Sequence, residues 1–386
     1  DGNLSCWGGP DNIFSTISYD GRPVTEVQVG SAHVCTIDDL GDVWCSNQKE
    51  SYSGPQQVSA GTSYTCALLS SGNVQCWGRD IWGELGVEGN MRVTISGIDT
   101  ATAISTGSTH TCALLSSGNV QCWGRNQYGQ LGDGSDINRR SPVTVSGIDT
   151  ATAINSGGEH TCALLSSGEV QCWGRNTNGE LGDGTNVDSN TPVTVSGINS
   201  ATAISTSLGQ YTCAILASGN IQCWGANGGG ELGDGTSTNS NIPVTVSGIN
   251  SATAISTGYT RACAVLSSGS LQCWGNGDWG LLGNGVNGNS DIPVTVNGIE
   301  TVSDISVGYE HTCAVFDSNL MRCWGKNTFG QLGDGSNSDS TTASSSPSPW
   351  NDVNAVSLGH YHTCAQSITG DIRCWGWNNY GQLGDG

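Results

Sequence analysis

Basic residues are scarce in this chain. Lys and Arg together number 12 among 386 residues, against 33 Asp and Glu, so the formal net charge is −21. A surface of this sign repels phosphate backbones and anionic lipids, which argues against nucleic acid as a partner. Apolar runs are also short, and none approaches the roughly 20 residues of a membrane span. We therefore expect no nucleic-acid partner and no direct membrane insertion.

The chain also lacks the patterns that carry catalysis or bind metals. We find no nucleophile beside a base and no paired acids, and the run 228–230 of three glycines has no Lys or helix of the kind a phosphate loop needs. The cysteines lack the close spacing of zinc ligands. Loops 133–138 and 183–188 are rich in acids and amides, but neither has a complete calcium-loop pattern. We therefore predict no enzyme, no metal site and no cofactor, with weak calcium binding at these loops as the alternative.

The chain contains instead a repeat with paired cysteines. The segment 111–124 recurs almost verbatim at 161–174, and weaker copies occur before and after it. Ten positions separate the two cysteines of each pair. The predicted disulfides, which leave Cys6 unpaired within the chain, join Cys35 to Cys45, Cys66 to Cys76, Cys112 to Cys122, Cys162 to Cys172, Cys213 to Cys223, Cys263 to Cys273, Cys313 to Cys323 and Cys364 to Cys374.

Each cysteine pair is predicted to close a β-hairpin. A three-residue loop, 116–118, places Cys112 opposite Cys122 within disulfide reach. Such loops need positive φ at their third residue, which favours Gly and then Asn. That position holds Gly41, Gly72, Gly118, Gly168, Gly219, Gly269, Asn319 and Gly370. Reduced, buried thiols are the alternative, but disulfides fit better and imply an oxidising compartment, so we predict an extracellular or cell-surface protein.

The segments between hairpins complete a four-stranded unit. A Pro-Val-Thr-Val run at 142–145 suits an outer edge strand, where proline is tolerated, and the small residues at 151–154 suit a crowded innermost strand. Four short strands recurring about every 50 residues are typical of a β-propeller blade. We predict a single all-β propeller over 1–386, with repeats at roughly 1–40, 41–71, 72–117, 118–167, 168–218, 219–268, 269–318 and 319–369, and a partial repeat at 370–386.

Three blocks give a family resemblance. Gly-x-x-His-Thr-Cys-Ala-Leu, Cys-Trp-Gly-x-Asn-x-x-Gly-Gln-Leu-Gly-Asp-Gly and Pro-Val-x-Val resemble the regulator of chromosome condensation repeat, in a version with paired cysteines similar to that of secreted or surface proteins. The resemblance covers nearly the whole chain and implies seven blades, the family norm. It fixes no function, because members include exchange factors, inhibitors, receptors and ubiquitin-ligase modules.

The count of inner strands departs from that norm. The candidate inner strands number eight and end near Gly30, Gly61, Gly107, Gly157, Ser207, Gly258, Gly308 and Gly359. Gly2 and Cys6 match the second half of a hairpin. Three arrangements stay open: an eight-bladed ring closed by N-terminal strands, a seven-bladed ring with an overhang, or an excerpt from a longer array. An overhang would complete a blade of a neighbouring subunit by strand addition.

Two recurring side chains are predicted to be structural. The position two residues before the first cysteine holds His33, His110, His160, His311 and His362, and elsewhere Tyr64, Tyr211 or Arg261. Since Arg and Tyr are poor substitutes for a metal-binding His, we predict hydrogen bonds to the backbone of a neighbouring blade. Trp follows the second cysteine in eight copies, and we predict packing between blades or against the disulfide, with sugar stacking as the alternative. These residues are Trp7, Trp77, Trp123, Trp173, Trp224, Trp274, Trp324 and Trp375.

Aromatic residues outside the repeat pattern are the candidates for a ligand face. They are Trp82, Tyr128, Trp279, Phe329, Trp350, Trp377 and Tyr380. Asn3 begins the only N-glycosylation sequon. Near-identical repeats favour a non-enzymatic scaffold, adhesion or assembly module, which would polymerise through its ends. The alternative is a secreted protein- or glycan-binding propeller, either an inhibitor or a receptor ectodomain, and it predicts blade-specific aromatics clustered on one face, as at Trp279 and Trp377.

Overall fold

The computed structural model describes residues 55–62, 64–78, 80–86, 93–343, 352–368 and 372–378. In the first 50 residues it describes only the backbone of the strands. The described part contains 32 β-strands and one short 3₁₀ helix, Asp278–Gly280. Within these ranges no helix is long and apolar enough to cross a membrane.

The strands form eight sheets, which we number as blades 1 to 8. The first two strands, β1 (Asn3–Gly8) and β2 (Ile13–Ser18), belong to blade 8. Blade 1 consists of β3 (Val24–Val29), β4 (Val34–Asp38), β5 (Val43–Cys45) and β6 (Gln48–Glu50). Blade 2 consists of β7 (Pro55–Ala60), β8 (Tyr64–Leu69), β9 (Val74–Gly78) and β10 (Val93–Thr94). Blade 3 consists of β11 (Ala101–Thr106), β12 (His110–Leu115), β13 (Val120–Gly124) and β14 (Arg139–Thr144).

The remaining blades repeat this order. Blade 4 consists of β15 (Ala151–Ser156), β16 (His160–Leu165), β17 (Val170–Gly174) and β18 (Ser189–Thr194). Blade 5 consists of β19 (Ala201–Thr206), β20 (Tyr211–Leu216), β21 (Ile221–Gly225) and β22 (Ser240–Thr245). Blade 6 consists of β23 (Ala252–Thr257), β24 (Arg261–Leu266), β25 (Leu271–Gly275) and β26 (Ser290–Thr295).

The last two blades depart from four strands. Blade 7 consists of β27 (Val302–Val307), β28 (His311–Phe316) and β29 (Met321–Gly325). The sequence after it lacks the Pro-Val-Thr-Val block, and residues 344–351 lie outside the described ranges. Blade 8 consists of β30 (Val353–Leu358), β31 (His362–Ser367) and β32 (Ile372–Gly376), followed outward by β1 and β2.

The inner strands close into a ring. Each of β3, β7, β11, β15, β19, β23, β27 and β30 contacts the next, and β30 contacts β3. The predicted all-β propeller is therefore confirmed. Of the two predicted blade numbers, the eight counted from inner strands equals the number of sheets, and seven of these sheets carry a described disulfide.

The two ends of the described chain meet in blade 8. Strand β1 pairs with β2 and also lies parallel to β32, with Trp7 opposite Trp375 in the backbone register. This is the predicted arrangement in which N-terminal strands close the ring, and it does not place them in a neighbouring subunit. The side chains of Asn3 and Cys6 lie outside the described residues.

The predicted disulfides are present in seven blades, each with a Cα–Cα distance of 4.1 Å. Cys35 faces Cys45 in the register of blade 1, where side chains are not described. The bonds in blades 2 to 8 join Cys66 to Cys76, Cys112 to Cys122, Cys162 to Cys172, Cys213 to Cys223, Cys263 to Cys273, Cys313 to Cys323 and Cys364 to Cys374.

The predicted loop geometry accompanies these bonds. The third loop residue has positive φ at Gly72, Gly118, Gly168, Gly219, Gly269 and Asn319. Gly41 and Gly370 lie outside the described residues. The two cysteines of each described hairpin are therefore directly opposite each other, as the ten-residue offset and the turn residue predicted.

The core consists of clusters between adjacent blades. Cys112 and Cys122 of blade 3 share a cluster with Trp173 of blade 4, and the next cluster repeats this one blade further on. The Trp173 ring is fully buried, and its Nε1 donates to Gln130 O at 2.9 Å. The recurring Trp of blades 3 to 8 thus packs between blades and against the neighbouring disulfide, as predicted. The sugar-stacking alternative is wrong for the fully buried members Trp123, Trp173, Trp224, Trp274, Trp324 and Trp375.

Candidate ligand-binding face

A circle of small residues, which we call the collar, lies at one end of the propeller. We call this end the collar face. The collar comprises the residues that follow the inner strands: Gly61, Gly107, Gly157, Ser207, Gly258, Gly308 and Gly359. A Cβ on Gly107 would lie 2.5 Å from Gly157 O of the next blade, and one on Gly258 would lie 2.6 Å from Gly308 O. Where the collar has a side chain, Ser207 Oγ donates to Gly258 O at 2.7 Å. Glycine occupies the other six described collar positions because adjacent blades approach backbone to backbone there.

The collar surrounds a cavity on the ring axis. Its volume is about 220 Å³, and residues of blades 2 to 8 line it. The residue after each collar position varies between blades: Thr62, Ser108, Gly158, Leu208, Tyr259, Tyr309 and His360. Five of these, Thr62, Leu208, Tyr259, Tyr309 and His360, line the cavity. Blades 2 to 8 therefore share one backbone position on this face, and its side chain ranges from none in blade 4 to Tyr in blades 6 and 7.

Below the mouth, the recurring His, Tyr and Arg join neighbouring blades. His160 Nε2 contacts Thr212 Oγ1 at 2.9 Å, and Tyr211 donates its hydroxyl to Arg261 O at 2.5 Å. Arg261 donates to Thr312 Oγ1 at 3.1 Å and to His311 O at 2.6 Å. The predicted link to the next blade is present. His110, His160 and His311 meet a threonine side chain, whereas Tyr64, Tyr211 and Arg261 reach backbone carbonyls. The imidazole ring is too short to reach the carbonyl that the longer side chains bond.

The pKa values of these buried groups fit a structural role. Burial, with the charge of His160, lowers the pKa of His110 to about 3, and burial lowers that of His160 to about 4. Burial also lowers the pKa of Arg261 to about 10. A histidine that stays neutral throughout the physiological range is a fixed hydrogen-bonding group rather than a proton carrier.

Outside the mouth, three blades carry cations over aromatic rings. Arg175 lies 5.3 Å from the Tyr128 ring and forms an ion pair with Glu159 at 2.5 Å. Lys326 repeats this arrangement in blade 7, 4.6 Å from the Trp279 ring and 2.7 Å from Glu310. In each set the cation follows the Trp-Gly dipeptide, the acid precedes the buried His, and the ring comes from the preceding blade.

Arg125 of blade 3 connects two of these sets. Its guanidinium lies 5.3 Å from the Trp82 ring and 5.6 Å from the Tyr128 ring. It also forms an ion pair with Glu159 at 3.1 Å. The predicted ligand-face residues Trp82, Tyr128 and Trp279 are thus each stacked with a cation of this chain.

Blades 6 to 8 also carry a continuous aromatic arc, formed by Tyr259, Tyr309, His360, Tyr361, Phe329 and Trp377. At the cavity mouth the Tyr309 ring lies between Tyr259 at 4.6 Å and His360 at 4.3 Å. Tyr361 extends the arc outward by edge contacts to Phe329 at 5.4 Å and Trp377 at 5.6 Å. In blade 8, Trp377 and Tyr361 occupy the positions that Arg175 and Glu159 occupy in blade 4.

Two of the predicted ligand-face residues, Phe329 and Trp377, belong to the arc. Phe329 and Trp377 lie within 6.1 Å of each other, whereas Trp279 pairs with Lys326 instead. Trp350 and Tyr380 lie outside the described residues. Sequence reasoning missed Tyr259, Tyr309, His360 and Tyr361 because they stand beside the repeat motif rather than in the variable loops. The signal for Tyr259, Tyr309 and His360 was an aromatic ring at a position that is small in blades 2 to 4.

The carboxylates of the acidic loops accept hydrogen bonds from neighbouring residues. Asp133 Oδ1 accepts hydrogen bonds from Ser135 N and Asn126 Nδ2, and Oδ2 accepts one from Arg139. Partial burial alone would raise the pKa of Asp133, but the bonds from Ser135 and Arg139 outweigh it and hold the pKa below its ordinary value. Among the described residues, no group of three or more His, Cys, Asp or Glu side chains is arranged to hold a metal ion.

Comparison with solved structures supports the fold. The chain is similar to human WBSCR16 at 23% identity, with a TM-score of 0.70 over 82% of this chain and 88% of that one. It is similar to Prp20p of Saccharomyces cerevisiae, studied for binding to Gsp1p and histones, at 19% identity and a TM-score of 0.67, covering 79% of this chain and 80% of that one. The ectodomain of the Physcomitrella patens receptor kinase CR4 matches at 21% identity and a TM-score of 0.51, covering 79% of this chain and 74% of that one.

Family comparison identifies the repeat itself. No curated protein matches the chain. The Regulator of chromosome condensation (RCC1) repeat matches residues 117–164, 167–216, 218–265, 268–315 and 323–366, more than half of the chain. A second description of the same repeat also matches residues 56–80, 101–130, 151–180, 302–331 and 353–382. The chain therefore belongs to the regulator of chromosome condensation repeat family.

Proposed function

We propose that this chain is a secreted or cell-surface, non-enzymatic module that binds an extracellular protein through the collar face. The observation that carries the proposal is the aromatic arc, which is confined to blades 6 to 8 and opens on the axial cavity. Aromatic residues bring large, rigid contact areas at low entropic cost, and they are enriched at the energetic centres of protein interfaces. The seven disulfides support an oxidising location.

Two relatives are consistent with a binding role. Prp20p is described with binding properties to Gsp1p and histones, and the plant CR4 match is the ectodomain of a receptor kinase. A rigid propeller holds its loops in fixed positions, together with the collar-face residues around the cavity mouth, which we call the rim. Single substitutions in a blade therefore change this face without changing the fold. The rim of this chain has such blade-by-blade differences at Thr62, Gly158 and Tyr309.

The experiment compares the wild type with a variant whose arc is removed. Tyr259→Ser, Tyr309→Ser and Phe329→Ser together replace three arc rings, and Trp82→Ser with Tyr128→Ser is the matched control on blades 2 and 3. Both proteins are screened against a panel of displayed extracellular domains. We expect interactions that the control retains and the arc variant loses. Interactions that survive in the arc variant and disappear in the control would contradict the proposal.

A second candidate is an assembly module that polymerises through its ends. The near identity of 111–124 and 161–174 favours it, since a structural array needs no distinctive blades. The pairing of β1 with β32 in one chain occupies the edge that strand addition would use. Sedimentation over a wide concentration range separates the two: a constant monomer supports the binding module, and growing filaments support the array.

A further inference from the structure

The rings of the collar face fall into two classes. In blades 2, 3 and 6 the rings of Trp82, Tyr128 and Trp279 each have a cation of this chain over them. In the arc, no Lys or Arg among the described residues stands over Tyr259, Tyr309 or Phe329, and Trp377 replaces the cation of the repeat. On one part of the collar face the aromatic rings therefore stack with cations of the same chain. In the arc the rings contact other rings instead.

We propose that the arc binds a basic segment of a partner protein, whose Lys or Arg side chains supply to the arc rings the cations that Arg175 and Lys326 supply to Tyr128 and Trp279. This inference rests on the proposed binding function and names the chemistry of the partner. A cation over an aromatic face is stabilised by the ring quadrupole, more so where water is excluded. Tyr259 is the accessible end of the stack, since it is 42% exposed and Leu208 beside the cavity is 43% exposed.

Charge favours a basic partner over an acidic one. The net charge of −21 repels anions and attracts cations. The cations nearest the arc are already engaged, Lys326 with Glu310 and Arg261 with the carbonyls of Tyr309 and His311. An anionic ligand would therefore find no available positive group among the described residues of the arc.

The ring geometry favours a cationic side chain over a sugar. The Tyr309 ring stacks on His360 and lies tilted against Tyr259, and Tyr361 meets Phe329 and Trp377 edge to face. A pyranose needs a broad free ring face, whereas a guanidinium or ammonium group needs only the end of the stack and nearby oxygens. The hydroxyls of Tyr259 and Tyr309 are such oxygens near the cavity mouth. Burial, together with the neighbouring Tyr259, Tyr361 and Glu310, raises the pKa of Tyr309, so its hydroxyl keeps its proton and offers neutral oxygen lone pairs.

The test measures binding of a fluorescent peptide that alternates Lys and Gly. The matched probes are a Glu–Gly peptide, a Ser–Gly peptide and a neutral oligosaccharide. We expect the wild type to prefer the Lys peptide, and Tyr259→Ser with Tyr309→Ser to weaken its binding about two- to thirtyfold. Serine or a smaller residue stands at the equivalent position of blades 3 and 4, so the fold tolerates it. Tyr128→Ser is the control, and we expect it to bind the Lys peptide as the wild type does.

A second variant tests the analogy between blades. Trp377→Arg gives blade 8 the cation that Arg175 gives blade 4. We expect this variant to bind the Lys peptide more weakly than the wild type does, while its melting temperature is unchanged. The proposal of a basic partner would be overturned if the wild type did not bind the Lys peptide, or if the Tyr259/Tyr309 variant bound it equally well. If instead the Glu peptide or the oligosaccharide binds in an arc-dependent way, the binding function survives and only the partner chemistry is wrong.

Discussion

Blades 3 and 4 differ from blades 6 to 8 on a shared frame. Both regions bury the same Trp, close the same hairpin disulfide and join their neighbours through the residue two positions before the first cysteine. In blades 3 and 4 the rim ends in ion pairs and stacked cations, with Arg125 and Arg175 sharing Glu159. In blade 8 Trp377 and Tyr361 take the positions of Arg175 and Glu159, and blades 6 to 8 together carry the aromatic arc. The frame is therefore set by residues that recur, and recognition is set by those that do not.

Removal of the recurring Trp should affect both regions equally and most severely. Trp173→Ala and Trp324→Ala each remove a fully buried ring and its hydrogen bond to the preceding blade. We expect each to lower the free energy of unfolding by about 3–5 kcal/mol. Urea denaturation followed by fluorescence measures the effect. A large loss for one and a negligible loss for the other would show that the two regions do not share one frame.

The collar should be the next most sensitive feature. Gly107→Ala places a Cβ against Gly157 O and the His110 ring, so blades 3 and 4 must separate. We expect a loss of about 1–3 kcal/mol in the free energy of unfolding. Gly228→Ala is the control, because nothing lies within 4 Å of the added Cβ, and its effect should stay within about 0.5 kcal/mol. Equal effects of the two substitutions would refute close blade contact at the collar.

Acid should destabilise the frame through its buried histidines. The folded pKa of His160 is about 4 against 6.5 in a free side chain, so the unfolded chain binds more protons in acid. The stability from this group is complete above pH 6.5 and is lost as the pH falls toward 4. His160→Tyr, which copies Tyr64 and Tyr211, should flatten the fall in melting temperature over that window. An unchanged pH profile would mean that folding does not lower the pKa of His160.

Rim substitutions should have the smallest effect on stability. Arg175→Gln and Lys326→Gln each break a partly exposed ion pair and a stacked contact. Such pairs contribute no more than about 1 kcal/mol, so melting temperatures should change little. If either variant unfolds as readily as Trp173→Ala, the rim belongs to the frame and its differences between blades do not mark recognition.

The sequence predicted the frame well because the frame is periodic. The cysteine spacing and the loop Gly or Asn fixed the hairpin at Cys112 and Cys122, and proline marked the outer strand. Blade 7 lacks a fourth described strand because its sequence departs from that pattern. Register thus followed from local turn chemistry, which needs no knowledge of distant residues.

The candidate site was predicted only in part because it depends on contacts between blades. Phe329 and Trp377 were singled out as non-repeating aromatics, but Trp279 was not expected to stack on Lys326. Tyr259 and Tyr309 are about 50 residues apart in sequence, close to one repeat, and meet only when adjacent blades pack. The local sequence of a single repeat shows neither ring contact.

Hydroxyl-radical footprinting tests the central claim most directly, because it modifies exposed aromatic side chains and compares the protein with and without the bound Lys–Gly peptide. The account predicts protection of Tyr259, Tyr309 and Phe329 and unchanged reactivity of Trp82 and Tyr128. Protection of Trp82 and Tyr128 with no change at Tyr259 and Tyr309 would contradict it.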